Sequence, residues 1–153
     1  MLYIDRIKSR FAHALRRGCS EKRCTLRLQG LGNYAVLNGE RICPDRKMCD
    51  CIIFVANGSV IIGIVELKSK TAHSSDIAEK LTNSSETALD ILQRCADSGV
   101  DFRLCHLALS KKWKTIELRK IRKERVRIRG KVYSIITKRC GVSFSTVISE
   151  FGK

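Results

Sequence analysis

Apolar positions recur along the chain with two different periods, and the change of period marks out the elements. Tyr3, Ile4, Ile7, Phe11, Ala14 and Leu15 fall three and four apart with charge between them, which predicts an amphipathic helix stopped by Gly18. Segments 25–29 and 33–38 read as extended, separated by Gly30 and Gly32, and Asn38-Gly39 is a tight-turn signal. Two β-branched runs follow, Asp50 to Val55 and Val60 to Lys68, flanking the hairpin connection Ala56-Asn57-Gly58-Ser59. Ser74, Ser75 and Asp76, with Glu79 three residues past Asp76, predict a capped helix start. From there Ile77, Leu81, Ala88, Ile91, Leu92 and Cys95 keep helical spacing up to Gly99, with Asn83-Ser84-Ser85 as a place for a break. Phe102 to Leu109 predicts a further strand. Val126, Ile128, Val132, Ile135 and Ile136 are then interleaved with Arg125, Arg127, Arg129 and Lys131, so Gly130 turns one strand into the next and this ribbon completes the sheet. The segment from Ser143 to Phe151 has no decisive pattern.

The predicted order is α-β-β-β-α-β-β, an α/β sandwich with a mixed sheet, in a single domain over residues 1–153. A chain of 153 residues is long enough for one real core, and a single Pro with ten Gly argues against low complexity or disorder as the main story. The longest apolar runs, Cys51 to Ala56 and Val60 to Val65, are far below the roughly 20 residues that cross a bilayer, so no membrane partner is expected. The first seventeen residues carry charge throughout and show no secretory signal, which leads to a cytoplasmic expectation. In that compartment the eight cysteines are expected as reduced thiols.

Charge adds a partner. Thirty Lys and Arg against fifteen Asp and Glu leave a formal +15, a self-repulsion best relieved by an anion such as nucleic acid. The excess is concentrated in residues 111–140, where thirteen Lys and Arg face only Glu117 and Glu124. This basic extension predicts a phosphate track made by Lys111, Lys112, Lys114, Arg125, Arg127, Arg129 and Lys131. Trp113, set among lysines, reads either as a surface for stacking a base or as a half-buried anchor.

The run from Val60 to Lys68 is apolar on both faces until its last three residues, as in a strand buried on both sides. Glu66 and Lys68 then project to one face, where a carboxylate and an ammonium are costly unless paired or holding a metal. Asp50 joins that face only with the right hairpin register. A two-residue Asn57-Gly58 turn puts it on the wrong face, whereas a three-residue loop over Ala56-Asn57-Gly58, or a bulge at Gly63, brings it round. One of these two devices is expected. Cys19, Cys24, Cys43, Cys49 and Cys51 lack the compact spacing of a zinc ribbon, so zinc is not expected.

Asp50, then Glu66-Leu67-Lys68, on a hairpin with helices before and after, resembles the PD-(D/E)xK nuclease superfamily over residues 1–110. Asp50-Cys51-Ile52-Ile53 and Val65-Glu66-Leu67-Lys68-Ser69-Lys70 are most similar to archaeal Holliday junction resolvases, which are short, basic and dimeric. The resemblance implies a restriction-endonuclease-like fold. It also implies that Asp50 and Glu66 bind Mg²⁺, with Mn²⁺ able to substitute, that the Leu67 carbonyl completes the site, and that Lys68 positions the attacking water. Hard Mg²⁺ with oxygen ligands and retained waters suits that set. Lys70 falls to nucleic-acid contact. Relatives also carry a glutamate on the first helix, where this chain has only Asp5, so a second metal is not implied. Asp45, in Pro44-Asp45, lies among Arg46 and Lys47 and is set aside for Asp50, while Glu40 offers a further ligand. The expectation is an Mg²⁺-dependent endodeoxyribonuclease acting as a homodimer on DNA of branched or junction form, within a superfamily that also includes RNA-cleaving members. The alternative is a noncatalytic nucleic-acid-binding module, or a basic subunit of a nucleoprotein assembly.

Overall fold

In the computed structural model, which describes residues 2–68 and 73–151, the first apolar stripe forms α1 (Leu2–Arg10) and a 3-10 turn (Ala12–Ala14). Tyr3, Ile4, Ile7 and Ala14 are buried, whereas Leu15 has left the helix and is 40% exposed. Short strands β1 (Leu15–Arg16), β2 (Cys19–Glu21) and β3 (Cys24–Leu26) follow, then β4 (Tyr34–Asn38) and α2 (Gly39–Ile42). The central hairpin is β5 (Cys51–Asn57) and β6 (Ser59–Lys68), and α3 (Ser74–Cys95) crosses over to β7 (Phe102–Ser110). The basic stretch holds α4 (Thr115–Lys123), β8 (Arg125–Ile128), β9 (Lys131–Ser134) and β10 (Ile136–Arg139), and α5 (Phe144–Glu150) ends the described chain.

The architecture is α/β, with a six-stranded mixed sheet in the order β1-β4-β5-β6-β7-β10. Strands β1, β4, β5 and β6 pair antiparallel, and β6–β7 and β7–β10 pair parallel. Because side chains alternate along a strand, the doubly apolar β6 serves two cores. Ile62 and Ile64 join Ile52 and Phe54 beneath α1 and α3, while Ile61, Val65 and Leu67 join Ile53, Val55, Phe144 and Val147 on the other side. No described helix is long and apolar enough to cross a membrane.

Several expectations change. The β5–β6 hairpin is tighter than either expected device: Asn57 pairs with Ser59 about Gly58 at φ +73°, and the ladder runs unbroken through Ile53–Gly63 to Cys51–Val65. Gly63 is therefore no bulge. A Cβ there would lie 2.5 Å from Phe144 Cζ, so the glycine makes room for the ring of α5. Helix α3 does not break at 83–85, because Ser84 and Ser85 are fully buried and bonded. Ser84 Oγ accepts the Cys49 N–H at 2.8 Å, and Ser85 Oγ donates to Leu81 O at 2.7 Å while meeting His106 Nε2 at 2.7 Å. Its N-cap is His73, without a side-chain cap bond, rather than one of the expected serines or Asp76.

The basic stretch is not a single ribbon completing the sheet. Val126 and Ile128 are buried in the α1–α3 core, which draws β8–β9 into a separate two-stranded sheet, and β10 takes the edge beside β7. The expectation of reduced thiols is also overturned. Cys19 is disulfide-bonded to Cys51 and Cys24 to Cys140, with Cα atoms 6.0 and 5.0 Å apart. The two bonds fasten the β2–β3 hairpin, whose three-residue strands bury little area of their own, to the second face of the sheet. Cys43, Cys49, Cys95 and Cys105 remain free.

Candidate functional site

The β5–β6 register, continued one residue beyond Cys51–Val65, sets Asp50 directly across from Glu66, and both lie on the face of Ile52, Ile62 and Ile64. Asp50 Oδ2 accepts the Leu67 N–H at 2.7 Å, so the backbone between Glu66 and Lys68 holds the aspartate in place. The Asp50 carbonyl is met by Arg16 Nη1 at 3.4 Å, and Arg16 Nη2 also donates to Ser20 O at 2.8 Å. The side chain of Leu67 itself points to the opposite core.

Glu66 is buried at 6% exposure. Burial first, then the charge of neighbouring Asp50, raises its pKa from 4.5 to about 8, while Lys80 pulls it the other way. Lys80 Nζ, from the second turn of α3, lies 2.8 Å from Glu66 Oε2. Burial of that lysine lowers its pKa, but Glu66, Asp50 and Glu40 together turn the net shift upward. A half-buried ammonium thus stands against the two carboxylates, and exposed Glu40 adds a weaker attraction. Cys49 is buried beside them. Burial pushes its thiol up to about 12, so it stays protonated and donates to Cys51 O at 3.2 Å rather than offering a thiolate to a metal.

Lys68 shares the face of Glu66 but is engaged elsewhere. Its Nζ is bonded to Glu117 Oε2 and lies 5.6 Å from the centroid of the Trp113 ring. Glu117 Oε1 accepts the Lys114 N–H at 3.1 Å, so one carboxylate ties the start of α4 to the end of β6. The Lys68 bond, then the Lys114 N–H, holds the Glu117 carboxyl below its ordinary value. Trp113 is half-buried and its Nε1 donates to Lys138 O at 2.8 Å, so the ring is anchored at its edge while it still lines the space beside α4.

Asp50 and Glu66 therefore converge, Leu67 meets Asp50 through its N–H rather than through the expected carbonyl, Lys68 is adjacent but paired, and Lys70 lies outside the described residues. Lys111, Lys112 and Lys114 are exposed where β7 leads into α4. Arg125 and Arg127 are exposed and alternate with buried Val126 and Ile128, as a half-buried strand requires. Arg129, at φ +50°, and Gly130 make the β8–β9 turn, with Arg129 Nη2 3.8 Å from Asp90 Oδ1 of α3, and Lys131 is exposed beyond it. Asp45 and Asp5 are both exposed, away from the buried rim.

Lys80 and the role of Glu117 are not foreseen by the sequence. Lys80 carries no local signal, since it flanks the apolar stripe of α3 as a solvated lysine would. Glu117 is visible only as one of two acids in a basic stretch, three residues past Lys114, a spacing that fits the N-terminal cap of a helix.

Among the described residues no three His, Cys, Asp or Glu side chains gather as a metal group. The oxygen donors present are those of Asp50 and Glu66, where burial and the charge of Asp50 raise the Glu66 pKa and Lys80 already supplies one positive charge. Two hard carboxylate donors beside open coordination by water suit Mg²⁺, so these residues fit its protein share. Of the five cysteines weighed for zinc, Cys19, Cys24 and Cys51 are in disulfides, and Cys43 and Cys49 are free. No family model, no curated protein and no solved structure matches the chain.

Proposed function

We propose that the protein is an Mg²⁺-dependent endonuclease that hydrolyses phosphodiester bonds in DNA. The observation that carries this reading is the facing pair Asp50 and Glu66, at the ends of two adjacent core strands, with Glu66 buried and its pKa raised to about 8. Such a pair binds a cation in preference to remaining doubly charged. Asp50, fixed by the Leu67 N–H, and Glu66, paired with Lys80 in this structure, would hold the ion. The ion, when bound, polarises the phosphate and lowers the pKa of an attacking water. Lys68, oriented by Glu117, offsets charge that develops on the phosphate.

DNA fits the formal +15 and the exposed arginines of β8. Branched or junction DNA and a homodimer follow from the resemblance to resolvases and from the two centres needed to cut two strands, whereas the cytoplasmic setting expected from the charged first seventeen residues is opposed by the two disulfides. A second reading, a noncatalytic nucleic-acid-binding module, is favoured by the ion pairs themselves, because Lys80 neutralises Glu66 and Glu117 neutralises Lys68.

The test is incubation with supercoiled, linear, single-stranded and four-way-junction DNA plus Mg²⁺, beside Glu66→Ala and Lys68→Ala. Cleavage by the parent that both substitutions abolish supports the nuclease. Binding without cleavage by the parent supports the module, and cleavage unchanged in both variants places the site elsewhere.

A further inference from the structure

Beyond the carboxylate rim, the start of α3 and the start of α4 enclose a cavity of about 340 Å³, within the range of about 300–1,000 Å³ typical of small-molecule sites. Its walls combine two chemistries. Trp113, Ile77 and Ile116 give an apolar side, and Lys114 and Lys120 give a cationic one.

Three observations distinguish this cavity from an ordinary surface dent. Ile116 is 59% exposed at its edge, apolar surface left uncovered among the described residues. Lys114 and Lys120 are exposed and make no ion pair among the described residues, whereas Lys68, deeper in the cavity, is already satisfied by Glu117. The 22-residue α3 begins here without a side-chain cap on its first N–H groups, and its one first-turn acid, Asp76, is bonded to Lys47 at 3.1 Å. An aromatic and aliphatic wall, two available ammonium groups and a helix N-terminus together match a ligand with a flat apolar part joined to an anion.

We propose that this cavity takes one unpaired nucleotide of a DNA strand, its base against Trp113 and Ile116 and its phosphate toward Lys114 and Lys120. The assignment rests on the nucleic-acid reading above and names the form of the substrate. A base inside a duplex cannot enter, so the cavity selects single-stranded or unpaired positions. Lys68 lines the cavity and shares the face of Glu66, so a strand seated here runs past the carboxylate rim.

Trp113 is the only tryptophan of the chain, and its fluorescence reports on this wall directly. The whole protein is titrated with a short single-stranded oligothymidylate and with a blunt duplex, in chelator so that nothing is cleaved. The expected result is a saturable fluorescence change with the single strand at least tenfold tighter than with the duplex. Thymidine 5′-monophosphate should compete for it, and inorganic phosphate at the same concentration should not. The double variant Lys114→Gln, Lys120→Gln, whose exposed side chains leave the fold intact, should weaken the single-strand response tenfold or more. A silent tryptophan, equal affinity for both forms, or a response that survives the double substitution overturns the proposal. Cleavage of DNA with a silent tryptophan removes the nucleotide site and leaves the nuclease. A tryptophan response in a protein that never cleaves removes the nuclease and leaves the site.

Discussion

Lys80 reaches from the second turn of α3 to within 2.8 Å of Glu66 Oε2, so a side-chain cation stands where two facing carboxylates would otherwise repel. The arrangement follows from the β5–β6 register. Once Asn57 pairs with Ser59, Asp50 and Glu66 must meet across the strands, and only a positive charge or a proton relieves the contact. The helix that covers that face supplies the charge, and burial keeps the proton available.

The raised pKa of Glu66 makes stability depend on pH in a defined direction. A carboxyl whose folded value, about 8, exceeds its ordinary 4.5 binds its proton more tightly in the folded state. Its contribution is complete below about 4.5 and is lost as pH rises through about 8. Glu66→Gln removes that loss, so the melting temperature of the variant relative to the parent should be higher at pH 9 than at pH 5. Thermal unfolding at the two pH values measures it, and an equal difference at both would mean that Glu66 titrates as an ordinary glutamate.

Gly63 and Phe144 form a tight contact between the sheet and α5 that can be tested as a pair. An added methyl at 63 would press on the ring at 2.5 Å from Cζ, in a region where both residues are enclosed. Gly63→Ala should cost about 1–3 kcal/mol, as overpacking of a filled core does. Phe144→Leu in the same chain should recover part of the loss. Urea unfolding of the two single variants and the double variant gives the coupling, and additive losses would show that the ring and the glycine do not oppose each other.

Two disulfides fasten a hairpin too small to hold itself. Cys24 and Cys140 are 116 residues apart in sequence, so their bond closes a long loop of the unfolded chain. Cys140→Ser should cost about 2–5 kcal/mol, the usual loss for a native disulfide. A thiol count on the denatured, unreduced protein should find four free cysteines, and peptide mapping should link Cys19 to Cys51 and Cys24 to Cys140. Eight free thiols in the unreduced protein would show that these pairs are close approaches rather than bonds.

What could be read in the sequence was what depends on local period. Both faces of β6 were legible because its residues alternate, and so was the shared face of Glu66 and Lys68. The α/β class and the mixed sheet followed from the same alternation together with the helical stripe of α3. Asp50 reached the expected face by a different route, since the choice among hairpin loops depends on backbone geometry at Gly58 that composition does not specify. Lys80, Glu117 and the disulfide partners were not legible because each meets its partner across the fold, and no neighbour in sequence announces it. Helix α4 was hidden by charge: Ile121 is its single buried residue, too little apolar surface to show a period. Ser84 and Ser85 read as breakers by type, yet burial against β7 and the start of β5 gave their hydroxyls partners that keep the helix whole.

The basic hairpin allows a graded test of phosphate binding, because its three arginines are differently committed. Arg129 is within 3.8 Å of Asp90, and Arg125 donates to the carbonyl of Glu124 at 2.8 Å, whereas Arg127 has no such tie among the described residues. Each phosphate that a substitution leaves without its cation should reduce the slope of log affinity against log salt by about 0.9 on duplex DNA. Arg127→Gln is expected to lower affinity and slope the most, since its guanidinium gives up no internal partner on binding. Arg129→Gln is expected to lower them the least, because Asp90 already competes for its charge. Filter binding or fluorescence anisotropy between roughly 50 and 200 mM salt, the interval over which phosphate-driven binding changes steeply, measures both quantities. Equal effects at the three positions would show that the pairing with Asp90 is not maintained in solution, and an affinity independent of salt would remove β8 and β9 from the interface.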